Sequence, residues 1–303
     1  MRLGDYRTSD NVSDQRGQSF GGGFGGGGGG IFGLILSLVA SRFGIGGVLI
    51  LALGYCALSS LGGLGGGSVG VTPQQATKGG ETPAEACAVD ASSRLSCQVL
   101  ASTEDVWTKL LAGQGQSYKP AGFTFYGGTG QSGCGVAQAA MGPFYCPSDN
   151  RIYLDTSFYA ELQNRFGAAG DFAQAYVIAH EVGHHLQALT GVLERAQSAQ
   201  QRLSSREGNA VQVQVELQAD CYAGVWAANA KDSQGRPLLE PGDVQEGLTA
   251  AAAIGDDTLQ RQSQGRVVPE SFTHGSAAQR TQWLKRGLET GDPAACDTFG
   301  GAR

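Results

Sequence analysis

An uncharged apolar stretch divides this chain of 303 residues into two unlike parts. Residues 43–61, FGIGGVLILALGYCALSSL, are nineteen residues without a charge, the minimum length for one membrane-spanning helix. Arg42 precedes them and marks the boundary, because an arginine at the centre of a bilayer costs about 2.5 to 3.5 kcal/mol. The sequence therefore predicts a membrane segment over residues 31–61, with one transmembrane helix at its core, residues 43–61.

The chain on either side of this segment differs in composition. Residues 1–30 are polar at first and then almost pure glycine, so they cannot bury enough apolar surface to fold and are predicted to be a disordered tail. Residues 62–84 are rich in Gly, Ser, Thr and Pro, which predicts a flexible linker. Residues 85–303 have the composition of an ordinary soluble domain. The chain is thus predicted to carry one folded domain behind a membrane anchor.

The distribution of positive charge predicts the orientation of this anchor. Arg2, Arg7, Arg16 and Arg42 precede the apolar core, whereas the first positive residue after it is Lys78. The positive-inside rule then places the N-terminus in the cytoplasm and the folded domain outside. The alternative is a cleaved signal peptide, but such a leader would carry some forty residues before its apolar core, more than is usual.

The seven cysteines lack the Cys-x-x-Cys spacing of a structural zinc site. Six of them follow the membrane segment, and an even set on one side of a membrane favours three disulfides in an oxidising compartment. The alternative is a set of buried free thiols in a cytosolic domain. Six thiols can pair in many ways. Spacing and position favour the pairs Cys87–Cys97, Cys134–Cys146 and Cys221–Cys296.

The remaining pattern predicts a mainly helical domain with a small β-hairpin or sheet, an α+β fold. Helices are predicted at residues 103–112, 157–166, 172–189, 211–228, 243–254 and 277–288. A strand is predicted at 123–126, and a hairpin from 143–146 and 151–154. The net charge of −6 provides no basic field for a phosphate backbone, so nucleic acid is not a predicted partner.

The strongest chemical signal is the motif YVIAHEVGHHLQ, which lies in a predicted helix. His180 and His184 are four residues apart, so a helix places both imidazoles on one face, where they can share a metal ion. Glu181 lies about 100° round the helix, where it can act as general base toward the attacking water. This H-E-x-x-H pattern predicts a zinc-dependent hydrolase with Glu181 as a catalytic residue.

A second motif, ELQADCYAGVWA, presents two carboxylates one helical turn apart. Glu216 would complete a set of two histidines and one glutamate, which leaves a fourth zinc position open. Asp220 can accept the other ring N–H of His180 and so fix its orientation. The alternative, a solvated helix face, is disfavoured by the apolar residues around both carboxylates. The predicted cofactor is therefore one Zn²⁺ per chain, held by His180, His184 and Glu216.

Other residues near these motifs carry weaker signals. His274 is one of four histidines and stands apart from the other three; it is predicted to donate to the oxyanion of the scissile carbonyl, with an ordinary helix-entry role as the alternative. His185 lies about 100° from His184 on a helix, which predicts packing or support of the site. Gly183 is predicted to allow close packing. Arg280 is predicted to be an exposed helix residue, with steadying of its segment or binding of a substrate carboxylate as the alternatives.

These motifs resemble those of a bacterial, membrane-anchored family known as "putative neutral zinc metallopeptidases". The resemblance is carried by SDNVSDQRG, TEDVW, GPFYCP, GDFAQAYVIAHEVGHHLQ, ELQADCYAGVWA, AAAAIGDD and SFTHGSAAQR. It implies a zincin-like, membrane-anchored bacterial metallopeptidase with zinc at the His-Glu-His site. Together with the charge distribution, this predicts a protein of the bacterial inner membrane, with the N-terminus cytoplasmic and the domain periplasmic. The trio HEVGH, ELQAD and FTHGSAAQR is also similar, more distantly, to CAAX-prenyl-protease-like metallopeptidases, although Gly275 stands where those proteins have proline.

The predicted activity is hydrolysis of internal bonds in a protein or peptide substrate. The alternative is a catalytically inactive, membrane-anchored scaffold that binds zinc, which would need the three ligands but has no use for Glu181. A purely structural metal site is a third interpretation, and it would more often complete its ligand set with Cys or His.

Overall fold

Apolar side chains at helical spacing dominate the second half of the chain, and the domain is correspondingly helical. The fold is described from a computed structural model of residues 1–18 and 82–300. The predicted membrane segment with Cys56, the glycine run and most of the predicted linker lie outside these residues. Among the residues described, no helix is both long enough and apolar enough to cross a membrane.

The secondary structure elements follow one another as short strands and longer helices. The strands are β1 (Val12–Asp14), β2 (Gly122–Tyr126), β3 (Thr129–Ser132), β4 (Gly135–Gln138), β5 (Phe144–Cys146) and β6 (Arg151–Asp155). The helices are α1 (Pro83–Ala88), α2 (Ala91–Ala112), α3 (Ser157–Asn164), α4 (Asp171–Leu189), α5 (Val192–Gln200), α6 (Ser205–Asn229), α7 (Asp243–Ala253), α8 (Asp256–Gln264) and α9 (Ala277–Thr290). The predicted α+β class agrees with this arrangement.

Four strands form one small sheet in the order β1-β2-β6-β5. β2 runs parallel to β1 and to β6, whereas β5 is antiparallel to β6. The predicted strand corresponds to β2, and the predicted hairpin to β5 and β6. β3 and β4 form a separate hairpin, TGQSGCGVAQ, whose sequence has no alternation of apolar side chains from which it could be predicted.

The first 18 residues belong to the folded domain, so the predicted disordered tail is wrong for this part of the chain. β1 adds a fourth strand to the sheet, and Leu3 and Val12 are buried in the main core. Many other contacts of this segment are polar, and they include hydrogen bonds with Gln98, Glu104 and Asp105. A segment that folds through polar contacts has no apolar periodicity, which is why the sequence pattern does not reveal it.

All the predicted helices are found, and two of them begin well before the predicted residue. α6 begins at Ser205 rather than residue 211, because Ser204 and Glu207 form a capping box. α2 begins at Ala91 rather than residue 103, with Asp90 as its N-cap. α5 and α8 are amphipathic and short, and the periodicity does not predict them.

Glycines let the helices around the candidate site approach closely. At Gly183 on α4, an added Cβ would lie 2.9 Å from the Cα of Ala219 on α6, closer than such atoms pack. This agrees with the predicted packing role of Gly183. α6 and α9 meet in the same way, since a Cβ at Gly224 or at Gly287 would overlap backbone atoms of the opposite helix. The ligand-bearing helices α4 and α6 are therefore held in direct backbone contact.

The three predicted disulfides are confirmed. Cys87–Cys97, Cys134–Cys146 and Cys221–Cys296 have Cα–Cα distances of 5.9, 5.8 and 5.6 Å, all within the normal range. The third of these joins α6 to the short 3₁₀ turn near the C-terminus. The second joins the β3–β4 hairpin to the edge strand β5.

Candidate active site

α4 presents the two histidines of the first motif to the interior. The rings of His180 and His184 have centroids 4.7 Å apart, as expected for residues one helical turn apart. The Nδ1 atom of each ring has a partner: Asp220 Oδ1 lies 2.8 Å from that of His180, and Gln187 Oε1 lies 2.9 Å from that of His184. Both Nε2 atoms are therefore free to bind one ion.

α6 brings Glu216 to these two Nε2 atoms. Its Oε2 lies 3.2 Å from Nε2 of His180 and 3.6 Å from Nε2 of His184. A tetrahedral zinc ion with bonds of about 2.0 to 2.1 Å separates its ligand atoms by about 3.3 Å. The observed distances match this spacing, and two imidazoles with one carboxylate are ligands that zinc accepts. The three residues thus fit a zinc ion with an open fourth position.

Asp220 lies one turn beyond Glu216 and is fully buried behind His180. Besides the imidazole of His180, it accepts hydrogen bonds from Tyr176 Oη at 2.6 Å and from Arg280 Nε and Nη2, both at 2.9 Å. Burial raises the pKa of Asp220, but the charges of Arg280 and His180 outweigh it and lower the pKa to about 2. A carboxylate that stays ionised fixes the Nδ1–H tautomer of His180 and directs Nε2 toward the metal position.

Arg280 is buried, with 2% of its surface exposed, so the expectation of an exposed helix arginine is wrong. Its guanidinium forms an ion pair with Asp220 and also donates to the Ile254 carbonyl. The signal that could have revealed this is the spacing on α9, where Leu284 and Gly287 follow at helical intervals and are buried too. A side chain on the same stripe faces the domain interior.

Glu181 lies in the cleft beside the ligand histidines, with 7% of its surface exposed. Burial raises the pKa of its carboxyl group above the ordinary value, although His184 and His180 oppose the shift. A carboxylate whose pKa is raised toward the working pH is a better proton acceptor in catalysis than an exposed one.

His274 reaches the same cleft from the loop that precedes α9. Its Nδ1 lies 3.3 Å from Asp256 Oδ1, while Asp256 Oδ2 accepts the backbone N–H groups of Thr273, His274 and Gly275. Asp256 therefore holds both the loop and the imidazole in place. The motif AAAAIGDD contains Asp256, but no spacing relates it to His274, eighteen residues later, so the sequence predicts no role for it.

His185 points away from the metal position, in agreement with the predicted packing or supporting role. Its Nε2 donates to the Lys119 carbonyl at 2.6 Å, and its Nδ1 lies 3.1 Å from Tyr145 Oη. Burial lowers the pKa of this imidazole. It connects α4 to the strand that borders the cleft.

The cleft containing these groups has a volume of about 440 Å³. The β3–β4 hairpin contributes Cys134 and Val136 to its lining, and α5 contributes Leu193, Ala196 and Gln197. Further apolar side chains surround the metal position: Met141, Phe144, Phe158 and Val177. Of the charged residues of this lining, Glu216, Asp256 and Arg280 have the partners described above, and Glu181 lies beside the ligand histidines.

Comparison with known proteins relates the whole chain to others. The family described as "Putative neutral zinc metallopeptidase" matches residues 1–299. Uncharacterized protein YpfJ of Escherichia coli K12 is 45% identical over 300 residues, which is 99% of each chain. Uncharacterized protein Rv2575 of Mycobacterium tuberculosis H37Rv is 47% identical over 224 residues, 70% of this chain and 73% of the other. No solved structure matches.

Proposed function

The chain belongs to the family described as "Putative neutral zinc metallopeptidase", and from this premise we propose that it is a zinc-dependent endopeptidase. The main support for this proposal is the geometry of the three predicted ligands and Glu181. Nε2 of His180, Nε2 of His184 and Oε2 of Glu216 converge at zinc-ligand spacing beside the buried carboxylate of Glu181. Binding of the metal accounts for the presence of the three ligands, whereas the presence of Glu181 beside them is accounted for only by proton transfer.

One zinc ion per chain is proposed, bound by His180, His184 and Glu216. When bound, zinc supplies a Lewis acid that polarises the scissile carbonyl and acidifies water. A second cluster of acidic groups in the described residues, Asp171, Asp243 and Glu246, has no histidine, and the α-amino group of Met1 lies 2.6 Å from Asp171 Oδ2. Zinc prefers nitrogen and sulfur ligands, so this cluster is not a second zinc site.

Two side chains act on the substrate: Glu181 transfers the proton, and His274 donates a hydrogen bond. Glu181 takes a proton from the attacking water and delivers it to the amine that leaves. The neighbouring His274, oriented by Asp256, donates from Nε2 to the oxyanion that develops on the carbonyl, because Nδ1 is held toward the carboxylate. In the metal-free protein, burial lowers the pKa of His274, but Glu216 and Asp256 raise it overall.

The charges of the cleft favour internal peptide bonds. An exopeptidase holds the charged end of its substrate with an opposite charge, whereas here Arg280 is neutralised by Asp220 and the acidic groups face histidines. The lining is otherwise apolar or uncharged. We therefore propose that the cleft takes an extended segment with apolar side chains near the cleaved bond.

The three disulfides support a domain that matures in an oxidising compartment. Membrane attachment is proposed from the uncharged stretch at residues 43–61. Together these features support an envelope peptidase that acts on proteins outside the cytoplasm.

The test separates metal binding from proton transfer. Full-length wild type, Glu181→Gln and Glu216→Ala are purified in detergent, their zinc content is measured by mass spectrometry, and hydrolysis of casein is followed. Glu181→Gln should retain zinc and lose about 10²- to 10⁴-fold in rate, because the amide cannot accept a proton. Glu216→Ala should lose zinc. Glu194→Gln, an exposed substitution on α5, is the matched control and should change neither property.

The alternative, an inactive zinc-binding scaffold, makes a different prediction in the same experiment. Wild type would then contain zinc and cleave no unfolded protein, and Glu181→Gln would be indistinguishable from it. A zinc-loaded Glu181→Gln that cleaves casein as fast as wild type would contradict the mechanism, and a metal-free wild type would contradict the metal site.

A further inference from the structure

The first 18 residues are built into the same sheet as the strands beside the cleft. Val12, Ser13 and Asp14 on β1 pair in register with residues 123–125 of β2. Ser13 Oγ lies 2.9 Å from Thr124 Oγ1, and Gln15 N donates to the Phe125 carbonyl at 2.8 Å. This strand pairing places the N-terminal segment within hydrogen-bond distance of residues more than a hundred positions later.

A buried carboxylate depends on this segment. Glu104 on α2 has 6% of its surface exposed. Its hydrogen-bond donors among the described residues are Arg7, Ser9 and Asn11, which all belong to the first 18 residues. These three residues cover the carboxylate and satisfy its oxygens, so loss of the segment would remove these hydrogen bonds and expose Glu104 to water. The hydrogen bonds therefore hold residues 1–18 against α2.

The end of the N-terminal segment contacts the first two helices that follow it in the described chain. Arg16 stacks on the ring of Phe125 at 4.5 Å and donates to the Ala86 carbonyl at 2.9 Å and to Ser93 Oγ at 2.7 Å. The last residue described before the gap is Gln18, two positions after Arg16, and the first described after it lies four positions before Ala86. The end of the first described range and the start of the second therefore lie close together.

We propose that residues 1–18 and the domain, residues 82–300, lie on the same side of the membrane. This inference rests on the proposed attachment through residues 43–61. One crossing between the two parts would separate them by about 30 Å of hydrocarbon, and β1 could not then pair with β2. The N-terminus is therefore extracytoplasmic if the disulfide-bonded domain is, and the predicted cytoplasmic N-terminus with one crossing does not fit this sheet.

The same segment also contacts a wall of the cleft. The side-chain amide of Gln15 accepts from Gln131 N at 2.8 Å and donates to the Gln131 carbonyl at 2.9 Å, so it binds the β3–β4 hairpin like an additional strand residue. This hairpin lines the cleft through Cys134 and Val136. Gln15, three positions before the last residue of this described range, therefore lies next to one wall of the candidate active site.

Cysteine labelling of spheroplasts and of lysed cells tests the proposal. Cys56→Ser removes the one cysteine outside the three disulfides, and Asp10→Cys or Gln201→Cys then adds one exposed thiol to either part of the chain. A membrane-impermeant maleimide is applied to spheroplasts and to lysed cells. We expect equal labelling of both positions before lysis. Labelling of one position before lysis and of the other only after it would overturn the proposal.

Two other outcomes are informative. If both positions react only after lysis, the two parts share a side, which supports the proposal and contradicts the extracytoplasmic location. Alkaline carbonate extraction of the same membranes reports attachment, and a protein released by carbonate would overturn the proposal together with its premise. Neither readout depends on peptidase activity, so a failure of the proposed function would be seen separately.

A cross-link tests the strand pairing itself. Ser13→Cys with Thr124→Cys, in the Cys56→Ser background, should form a disulfide within one chain, because the two hydroxyls are in contact. After cleavage at a protease site inserted in the linker, the N-terminal fragment should stay attached on a denaturing gel until reduction. The two single-cysteine variants are the controls and should release it. Release from the double variant, or a covalent dimer, would overturn docking within the chain.

Discussion

Alanine at position 183 tests how closely the two ligand-bearing helices must pack. Gly183 lies between His180 and His184 on α4, where α4 crosses α6. A Cβ at this position would lie 2.9, 3.0 and 3.1 Å from Cα, O and Cβ of Ala219. Two of these three atoms belong to the backbone of α6, so the helix itself must move.

The size of the effect follows from these distances. Normal contacts of a Cβ atom begin near 3.4 Å, so α6 must shift by about 0.5 Å, and Glu216, three residues before Ala219, moves with it. Metal sites tolerate changes of about 0.2 Å in ligand distance. We expect zinc affinity to fall about 10-fold or more. Overpacking costs about 1 to 3 kcal/mol, and the better helix propensity of alanine returns up to about 1 kcal/mol.

The assay compares Gly183→Ala with Gly208→Ala, the same substitution on α6 at a position where the nearest atom to the new Cβ is 3.9 Å away. Zinc affinity is measured by competition with a chromogenic chelator, and thermal unfolding is followed with and without chelator. Gly208→Ala should keep its affinity and unfold at an equal or higher temperature. If Gly183→Ala bound zinc as tightly as Gly208→Ala, the helix contact would not determine the ligand geometry.

Three further outcomes are expected. His274→Ala should retain zinc and lose about 10²- to 10³-fold in kcat toward casein, and loss of the metal would identify it as a ligand. Asp220→Ala should lower zinc affinity about 10- to 100-fold, and Arg280→Met should also lower it while Arg280→Lys is less affected, all measured by chelator competition. Burial lowers the pKa of His180 in the metal-free protein, but Asp220 and Glu216 raise it to about 9. Zinc must therefore displace a proton from His180 at pH 7, and zinc affinity should rise with pH up to about 9. Calorimetry in two buffers of different ionisation enthalpy should detect the released proton.

The ligand residues were predictable because their signals are local. His180 and His184 share a helix, and helix geometry alone brings them together. Glu216 and Asp220 share another helix with the same spacing, so only the crossing of the two helices had to be assumed. Gly183 indicates in the sequence that another helix packs closely at this point, although a glycine alone does not show which helix that is.

The groups that support the site were harder to predict because their partners lie far apart in the chain. Arg280 pairs with Asp220 across sixty residues, and the arginine was expected to be exposed. Asp256 has no spacing that relates it to His274 until the loop between them folds. The N-terminal segment is the extreme case, because its polar side chains are matched to Glu104, which looks like an ordinary surface residue of a helix.

The pairing of β1 with β2 has a consequence for the order of folding. Val12 is synthesised first and its neighbour in the sheet, Phe123, only after the whole of residues 19–81 and the long helix α2. Closing so long a loop is slow compared with forming helices, and sheets with such distant partners fold late. Until residue 126 has left the ribosome, the N-terminal strand has no place to dock, and any factor that binds exposed polar strands can compete for it during that interval.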